Sequence, residues 1–280
     1  MNYSPKIMQQ KLDEKAFKFK KHFGQNFIVD ENIIDNIIRK ADIDNNTLVI
    51  EVGPGAGSLT CGIAKYAKNV LCYEIDKEVK DILEENISEY KNVDIIFNDF
   101  LKANVKDDIK KYKFDKIYLV ANLPYYITTP IIMKVIEDNI NVNKIVIMVQ
   151  KEVGDRFRAN PKTKEYGSLT VFLNYYYDIR KIMDVSRNVF LPKPNVDSIV
   201  VEFNKKDNKL PVKDEKLFFA LIKDSFKQKR KTIRNNLKDY NLDVLKKILE
   251  DNNFSLSSRA EELPIDMYVL LANGLSDLND

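Results

Sequence analysis

The chain has 280 residues, of which 44% are hydrophobic and 31% charged, with 45 Lys and Arg against 42 Asp and Glu. This composition is typical of a globular protein and excludes an intrinsically disordered one. One His and two Cys exclude a disulfide framework and weigh heavily against a zinc site or a His-based triad, so no bound metal is expected. The sequence shows neither an apolar secretory signal nor an apolar run of bilayer length, which predicts a cytoplasmic protein without a membrane partner.

Short runs of β-branched residues alternate with helical patterns over the first two-thirds of the chain. This alternation predicts an α/β fold with a mostly parallel sheet. The predicted strands are residues 47–52, 70–75, 93–98, 116–121 and 144–149. Helices fill the gaps, as at residues 32–40, where isoleucines recur at helical spacing. Two further runs, around 171–179 and 197–203, predict an antiparallel pair at the edge of the sheet.

The pattern changes to purely helical periodicity after residue 205. Three such segments follow, at residues 214–237, 242–253 and 262–275. The chain is therefore predicted to form an α/β domain over residues 1–205, with a basic N-terminal arm, and a small all-helical domain over residues 206–280.

Positive charge is concentrated in two segments. Residues 1–25 have a net charge of +4 and residues 223–238 one of +6, whereas residues 239–280 have a net charge of −6. Clustered Lys and Arg favour the phosphates of nucleic acids, and Arg230 and Arg234 would share one side of a helix. A solvated helix face would explain the same basic run, and charge alone does not decide between the two.

A glycine-rich loop, residues 51–57 (EVGPGAG), follows the first predicted strand and opens a helix. Glycines let the backbone approach a ligand closely, and a helix N-terminus favours a negative group. The third glycine comes one residue too early for the G-x-G-x-x-G fingerprint, and Pro54 removes a backbone donor. Both features weigh against a nicotinamide oxidoreductase. The loop instead resembles motif I of class I S-adenosylmethionine (AdoMet) methyltransferases.

Two acids follow at the ends of the next two predicted strands. Glu74 comes seventeen residues after Gly57, where a carboxylate can accept hydrogen bonds from ribose hydroxyls. Asp99 can accept a hydrogen bond from an adenine amine. Together with the glycine loop, these acids predict a nucleoside-bearing cofactor at the carboxyl edge of the sheet.

The tetrapeptide of Asn122, Leu123, Pro124 and Tyr125 ends the fourth predicted strand. The side-chain carbonyl of Asn122 and the main-chain carbonyl of Leu123 can accept the two N–H bonds of an exocyclic amine. Pro124 fixes the turn, and Tyr125 offers an aromatic face to an extruded base. In isolation the same tetrapeptide could be an ordinary turn.

These motifs together resemble the ribosomal RNA adenine N6-dimethyltransferases, and within that family the type that acts on the small subunit. The matching stretches are residues 22–30, 51–57, 122–125, 188–198 and 226–236. The resemblance implies a Rossmann-like class I fold and AdoMet as cofactor. It also implies a monomer that dimethylates two adjacent adenosines in a hairpin near the 3′ end of 16S rRNA, in the assembling small subunit.

The resemblance also assigns roles to individual residues. The expected cofactor-binding residues are Asn26, Ile28 (through its main chain), Gly53, Gly55, Gly57, Glu74, Asp99 and Asn122. The expected target-base residues are Asn122, Leu123, Pro124, Tyr125 and Phe190, with Phe190 stacking on the base opposite Tyr125. The expected rRNA contacts are Lys227, Lys229, Arg230, Lys231 and Arg234.

Two alternatives stay open. An Erm-type large-subunit (23S) rRNA methyltransferase has the same chemistry, although residues 190–198 and the basic run favour the small-subunit type. An rRNA-binding assembly factor in which catalysis is secondary would share the basic surface. The intact glycine loop and the tetrapeptide at 122–125 argue against a wholly inactive binding module.

Overall fold

The computed structural model describes residues 5–14, 17, 19–20 and 25–278. The chain packs as two compact units, one of Met1–Gly154 with Arg180–Asn204 and the other of Asp155–Ile179 with Lys205–Asp280. The chain passes from one unit to the other after residues 154, 179 and 204. The boundary predicted from the sequence at residue 205 corresponds to the last of these three crossings. Within the described residues, no helix is long and apolar enough to cross a membrane.

The strands of the described residues belong to a large sheet and a two-stranded one. They are β1 (Phe27–Ile28), β2 (Thr47–Val52), β3 (Asn69–Tyr73), β4 (Val93–Ile96), β5 (Lys116–Asn122), β6 (Lys144–Gln150), β7 (Tyr177–Val185), β8 (Phe190–Leu191) and β9 (Ser198–Lys205). The helices up to β7 are α1 (Pro5–Glu14), α2 (Glu31–Ala41), α3 (Ser58–Ala64), α4 (Lys80–Ile87), α5 (Val105–Asp108), α6 (Tyr125–Glu137), α7 (Lys151–Phe157) and α8 (Ser168–Tyr176).

The large sheet has the strand order β4-β3-β2-β5-β6-β9-β7. Its first five strands are parallel, and β9 pairs antiparallel with β6. The mostly parallel sheet with an antiparallel edge is therefore confirmed. From β2 the chain runs outward in one direction to β3 and β4 and later in the other to β5 and β6, which creates a switch point where ligands bind at the carboxyl ends of the strands.

Burial explains why these segments form the elements they do. Every residue of β2 is buried, as expected for a central parallel strand covered on both faces. The isoleucines of α2 lie on one face, and Ile34 and Ile38 belong to the same apolar core as Val49 of the sheet. The carboxylate of Asp30 starts α2 by accepting hydrogen bonds from the N–H groups of Asn32 and Ile33.

The strand predicted around residues 171–179 is wrong over most of its length, because α8 continues to Tyr176 and β7 starts at Tyr177. The β-branched and aromatic residues of this segment favour a strand, but tertiary packing decides otherwise. Val171 and Tyr175 are buried in one core with Phe218 and Leu221, which also places this segment in the second unit.

The rest of the second unit is helical, as predicted. Its remaining helices are α9 (Glu215–Ser225), α10 (Ile233–Asn236), α11 (Leu242–Asp251) and α12 (Ile265–Ser276). The segment 214–237, predicted from its helical periodicity, forms two helices, α9 and α10, with an interruption between them. The side-chain amide of Asn236 donates to the carbonyls of Ser225 and Gln228, at 2.6 and 3.2 Å, and so satisfies backbone acceptors left free where α9 ends.

The two-stranded sheet joins segments that are far apart in the sequence. Phe27 pairs with Leu191, and Ile28 pairs with Phe190, in an antiparallel register. The N-terminal stretch around residue 27 and the proline-rich stretch after residue 190 therefore meet at one place in the first unit.

Candidate active site

A cavity of about 270 Å³ lies at the switch point of the large sheet, against the ends of β2, β3 and β5. Its wall includes residues from five short stretches, 25–28, 51–56, 73–75, 98–101 and 122–124. Each of the five contains at least one residue that was expected from the sequence to bind a cofactor or a target base. Strand ends that are separated in the sequence therefore supply one site, as the topology requires.

The glycine loop needs glycine for two physical reasons. Gly53, Gly55 and Gly57 have φ values of 72°, 56° and 84°, in the left-handed region that favours glycine. A Cβ atom on Gly55 would lie 2.6 Å from Cε1 of Phe27, whereas one on Gly53 would meet no atom within 4 Å. Gly53 thus leaves open space at the cavity wall. Gly57 precedes α3 and is not among the described residues that line the cavity.

Glu74 is buried at the end of β3, and its carboxylate organises the loop. One oxygen accepts a hydrogen bond from the N–H of Gly55 at 3.0 Å, and the other accepts one from the N–H of Asp76 at 2.8 Å. Burial raises the pKa of Glu74. The loop and the strand end are therefore held together by the residue that was expected to bind the ribose.

Asp76 ties the N-terminal arm to the same place. Its carboxylate accepts hydrogen bonds from Nζ of Lys20 at 2.8 Å and from Nε2 of Gln25 at 2.7 Å. Burial alone would raise the pKa of Asp76, but the hydrogen bonds from Lys20, Gln25 and the N–H of Glu78 lower it. Asp76 therefore fixes the start of the stretch 25–28, which forms part of the cavity wall.

A second buried acid, Glu51, lies at the start of the glycine loop and also lines the cavity. Its carboxylate accepts a weak hydrogen bond from the thiol of Cys72, at 3.7 Å. Burial raises the pKa of Glu51 to about 7. The sequence alone assigns no role to Glu51, because its burial depends on the assembled sheet.

Asp99 and two apolar neighbours form another part of the wall. Oδ1 of Asp99 accepts a hydrogen bond from the N–H of Leu101 at 3.0 Å. Ile75, which follows Glu74, is 49% exposed and lines the cavity together with Leu101. The sequence analysis missed Ile75, since only the structure reveals that this large apolar side chain is left uncovered.

Asn122 is held in one orientation by the opposite wall. Its Nδ2 donates a hydrogen bond to the main-chain carbonyl of Asn26 at 2.8 Å. The amide oxygen is therefore the end of the side chain that remains to accept a hydrogen bond. Two motifs separated by almost a hundred residues are joined by this contact.

The rest of the tetrapeptide forms the turn into α6. Leu123 and Pro124 line the cavity, and the carbonyl of Pro124 accepts a hydrogen bond from the hydroxyl of Thr128. Tyr125 begins α6, but its side chain lies outside the part of the structure that is described. Tyr126, which the sequence analysis did not select, is 50% exposed and lines the cavity.

Phe190 does not line the cavity among the described residues. It is only 5% exposed, belongs to an apolar core with Ile28, and pairs with Ile28 across β1 and β8. In this arrangement it supports the wall from behind instead of presenting its ring to the cavity. The sequence around Phe190, a single Phe beside two prolines, does not indicate whether its ring is buried in the core or faces the cavity.

The basic run lies in the second unit. Its five expected RNA-contacting residues are all exposed: Lys227, Lys229, Arg230, Lys231 and Arg234. The expectation that Arg230 and Arg234 share one side of a helix is wrong, because Arg230 lies in a turn and Arg234 lies in the four-residue α10. Like charges four residues apart, such as Lys227 with Lys231 and Arg230 with Arg234, would repel each other along a helix, which favours the interruption.

Comparisons with known proteins agree on a single family. A family model described as ribosomal RNA adenine dimethylase matches residues 16–276. A curated protein of Macrococcus caseolyticus named ribosomal RNA small subunit methyltransferase A is 47% identical, over 97% of this chain and 95% of its own length. A protein of the same name from Staphylococcus aureus is 44% identical, over 96% of this chain and 93% of its own length.

Solved structures share the fold. A dimethyladenosine transferase from Plasmodium falciparum superposes with a TM-score of 0.73 at 26% identity, covering 90% of this chain and 97% of its own. The 23S rRNA methyltransferase ErmE superposes with a TM-score of 0.71 at 23% identity, covering 90% of this chain and all of its own. At that identity the likeness to ErmE supports the fold alone.

The raised pKa of Glu51 predicts a pH-dependent stability. Because its native pKa of about 7 lies above the ordinary value of 4.5, its contribution to stability is complete below pH 4.5 and is lost as the pH rises through 7. Relative to Glu51→Gln, the unfolding free energy of the wild type should fall by about 2–3 kcal/mol between about pH 5 and pH 8. Urea unfolding at several pH values measures this, and a pH-independent difference between the two proteins would contradict it.

The anchoring role of Asp76 predicts a selective loss of cofactor affinity. Asp76→Asn keeps the shape of the side chain but removes the charge that holds Lys20, so residues 25–28 lose part of their support. We expect the Kd for AdoMet to rise by about tenfold, with a smaller fall in kcat at saturating AdoMet, because Asn26 of the same stretch orients Asn122. Glu78→Gln is the matched control, because Glu78 pairs with the same Lys20 at 3.0 Å but is 63% exposed, and the Kd should change less than about threefold. Equal effects of the two variants would exclude this role.

Proposed function

The chain belongs to the ribosomal RNA adenine dimethylase family, and from this membership we propose that it dimethylates the N6 amines of two adjacent adenosines near the 3′ end of 16S rRNA. The observation that carries the proposal is the single cavity in which the glycine loop, Glu74, Asp99 and Asn122 meet. The substrate we propose is the rRNA of the assembling small subunit. The chain would act there as a monomer, in the cytoplasm.

The cavity suits AdoMet through features of this chain. Gly53 leaves room for a ligand at the wall, and Glu74 and Asp99 supply carboxylates at the ends of neighbouring strands. Ile75 and Leu101 add apolar surface of the kind that packs against an aromatic base. Bound AdoMet supplies a methyl group on a sulfonium, which is a strong electrophile without any metal.

The tetrapeptide at 122–125 has the chemistry to orient the target amine. The lone pair of an adenine N6 is delocalised into the ring, so the amine is a poor nucleophile until it is held in a suitable geometry. The amide oxygen of Asn122 and the carbonyl of Leu123 would accept its two N–H bonds, and the contact to Asn26 holds the Asn122 amide in place. Positioning of this kind supplies a large part of a rate enhancement.

Neither methyl transfer requires a general base. Once the nitrogen has attacked, it becomes acidic and can lose its proton to water. The monomethylated amine has one N–H fewer, so a single acceptor suffices to hold it for the second transfer. The exposed position of Tyr126 at the cavity supports a site that admits a base from outside.

The small-subunit substrate is favoured over the large-subunit one by the relatives. The proteins that match over nearly the whole chain at 44–47% identity bear a small-subunit name. For rRNA contact we propose the exposed residues Lys227, Lys229, Arg230, Lys231 and Arg234 of the second unit. An assembly role without catalysis would use the same surface.

Transfer of labelled methyl groups from AdoMet tests the function. Unmethylated small subunits, large subunits and naked rRNA are offered separately, and products are mapped by mass spectrometry. Dimethyladenosine at two adjacent small-subunit positions is the expected result. Label in large-subunit RNA would support the Erm type, and tight subunit binding without label would support an assembly factor.

The orientation of Asn122 predicts that Asn122→Ala abolishes methyl transfer. The variant loses an acceptor for the amine, whereas Glu74, Asp99 and the glycine loop remain. We expect a fall in kcat of at least about a hundredfold, with the Kd for AdoMet changed by less than about threefold. Single-turnover transfer and equilibrium titration measure the two quantities. Parallel loss of both would indicate misfolding, and retained transfer would contradict the role.

A further inference from the structure

The second unit contains another basic segment, which the sequence analysis did not select. Residues 156–165 comprise the last two residues of α7 and the stretch that follows it, and are here called the 156–165 loop. They carry four basic residues and one acidic residue. Arg156, Lys162 and Lys164 are exposed, whereas Arg158 is paired with Asp155 at 2.9 Å. By itself such a segment could be an ordinary solvated surface.

A direct contact joins this loop to the basic run. Nζ of Lys229 donates a hydrogen bond to the main-chain carbonyl of Lys164 at 2.7 Å. The two segments therefore approach within the reach of one lysine side chain, although they are separated by more than sixty residues in the sequence. Because a carbonyl is neutral, the contact leaves the positive charge of Lys229 uncompensated.

The 156–165 loop is fixed to the rest of the second unit at its first lysine and again just after its last one. The N–H of Lys162 donates to the carbonyl of Glu261 at 2.7 Å. The buried Tyr166 donates its hydroxyl to the carbonyl of Leu263 at 3.0 Å. The backbone at Lys162 and Lys164 is thus held in place by hydrogen bonds at Lys162, Lys164 and Tyr166.

This arrangement has costs that folding alone does not explain. Lys162 has a φ of 69°, in the left-handed region that costs a side-chain-bearing residue about 1 kcal/mol or more. Residues 227–234 add five basic residues and no acid beside the loop, and like charges repel. Among the described residues, none of Lys162, Lys164 and Arg230 forms a salt bridge with an acid.

We propose that Lys162 and Lys164 extend the basic run into one composite surface that binds the phosphate backbone of structured RNA. The inference rests on the proposed function and deepens it, because it adds residues of a second segment to the expected rRNA contacts. Lysines contact phosphates without reading base sequence, so this surface contributes affinity and orientation. Lys229 serves both as a brace between the two segments and as a charge on the surface.

Lys164→Glu tests the surface, since it reverses one charge and leaves the carbonyl that Lys229 contacts. The affinity of Lys164→Glu for unmethylated small subunits is measured over a range of salt concentrations and compared with those of the wild type and of Arg230→Glu. We expect both variants to lose at least about tenfold in affinity at about 100 mM salt, and the slope of log affinity against log salt to decrease by about 1. The Kd for AdoMet should stay unchanged, which also verifies folding.

Lys216→Glu is the matched control. Lys216 is an exposed lysine in the first turn of α9, whereas the basic run follows the C-terminal end of the same helix, so about 15 Å of helix separates them. The affinity of Lys216→Glu for unmethylated small subunits should stay within about twofold of the wild-type value. If the wild type is active and Lys164→Glu binds small subunits as tightly as Lys216→Glu does, the composite surface alone is overturned. A wild type that transfers no methyl group to small subunits overturns the proposed function instead.

Discussion

The buried carboxylate of Glu74 is the contact on which the rest of the active site depends. Its two oxygens take up the N–H groups of Gly55 and Asp76, so the glycine loop and the turn after β3 are fixed by one side chain. Asp76 in turn holds Lys20 and Gln25 of the N-terminal arm. A residue expected to bind the cofactor is therefore also part of the framework that shapes the cavity, and its cost of burial is offset by these donors.

The second wall of the cavity is built in a similar way from distant parts of the chain. Asn122 donates to the carbonyl of Asn26, and two residues later Ile28 pairs with Phe190 of β8. The arm that Asp76 anchors thus also orients the residue proposed to hold the target amine. Cofactor and amine sites share one support, which keeps the methyl donor and the nucleophile in a fixed relation.

Much of this site could be predicted from the sequence, because strand ends follow from apolar runs. Gly53, Glu74 and Asp99 come after strands and Asn122 ends one, and parallel strands bring their carboxyl ends to one edge. What could not be predicted depends on tertiary burial. The sequence alone does not indicate that the side chain of Ile75 is exposed whereas that of Phe190 is buried. Nor does the local preference for a strand at 171–176 indicate that this segment packs as a helix in the second unit.

In the proposed function the chain works by positioning, with the methyl group passing directly from AdoMet to the amine. Both cysteines are buried, so neither is a ready nucleophile for a methylated intermediate. Transfer of a chiral methyl group, labelled with all three hydrogen isotopes, tests this most directly when the first methyl is analysed after a single turnover. Inversion of configuration is the predicted result, because one in-line displacement inverts the carbon. Retention would show two successive displacements through a group of the protein and would contradict direct transfer.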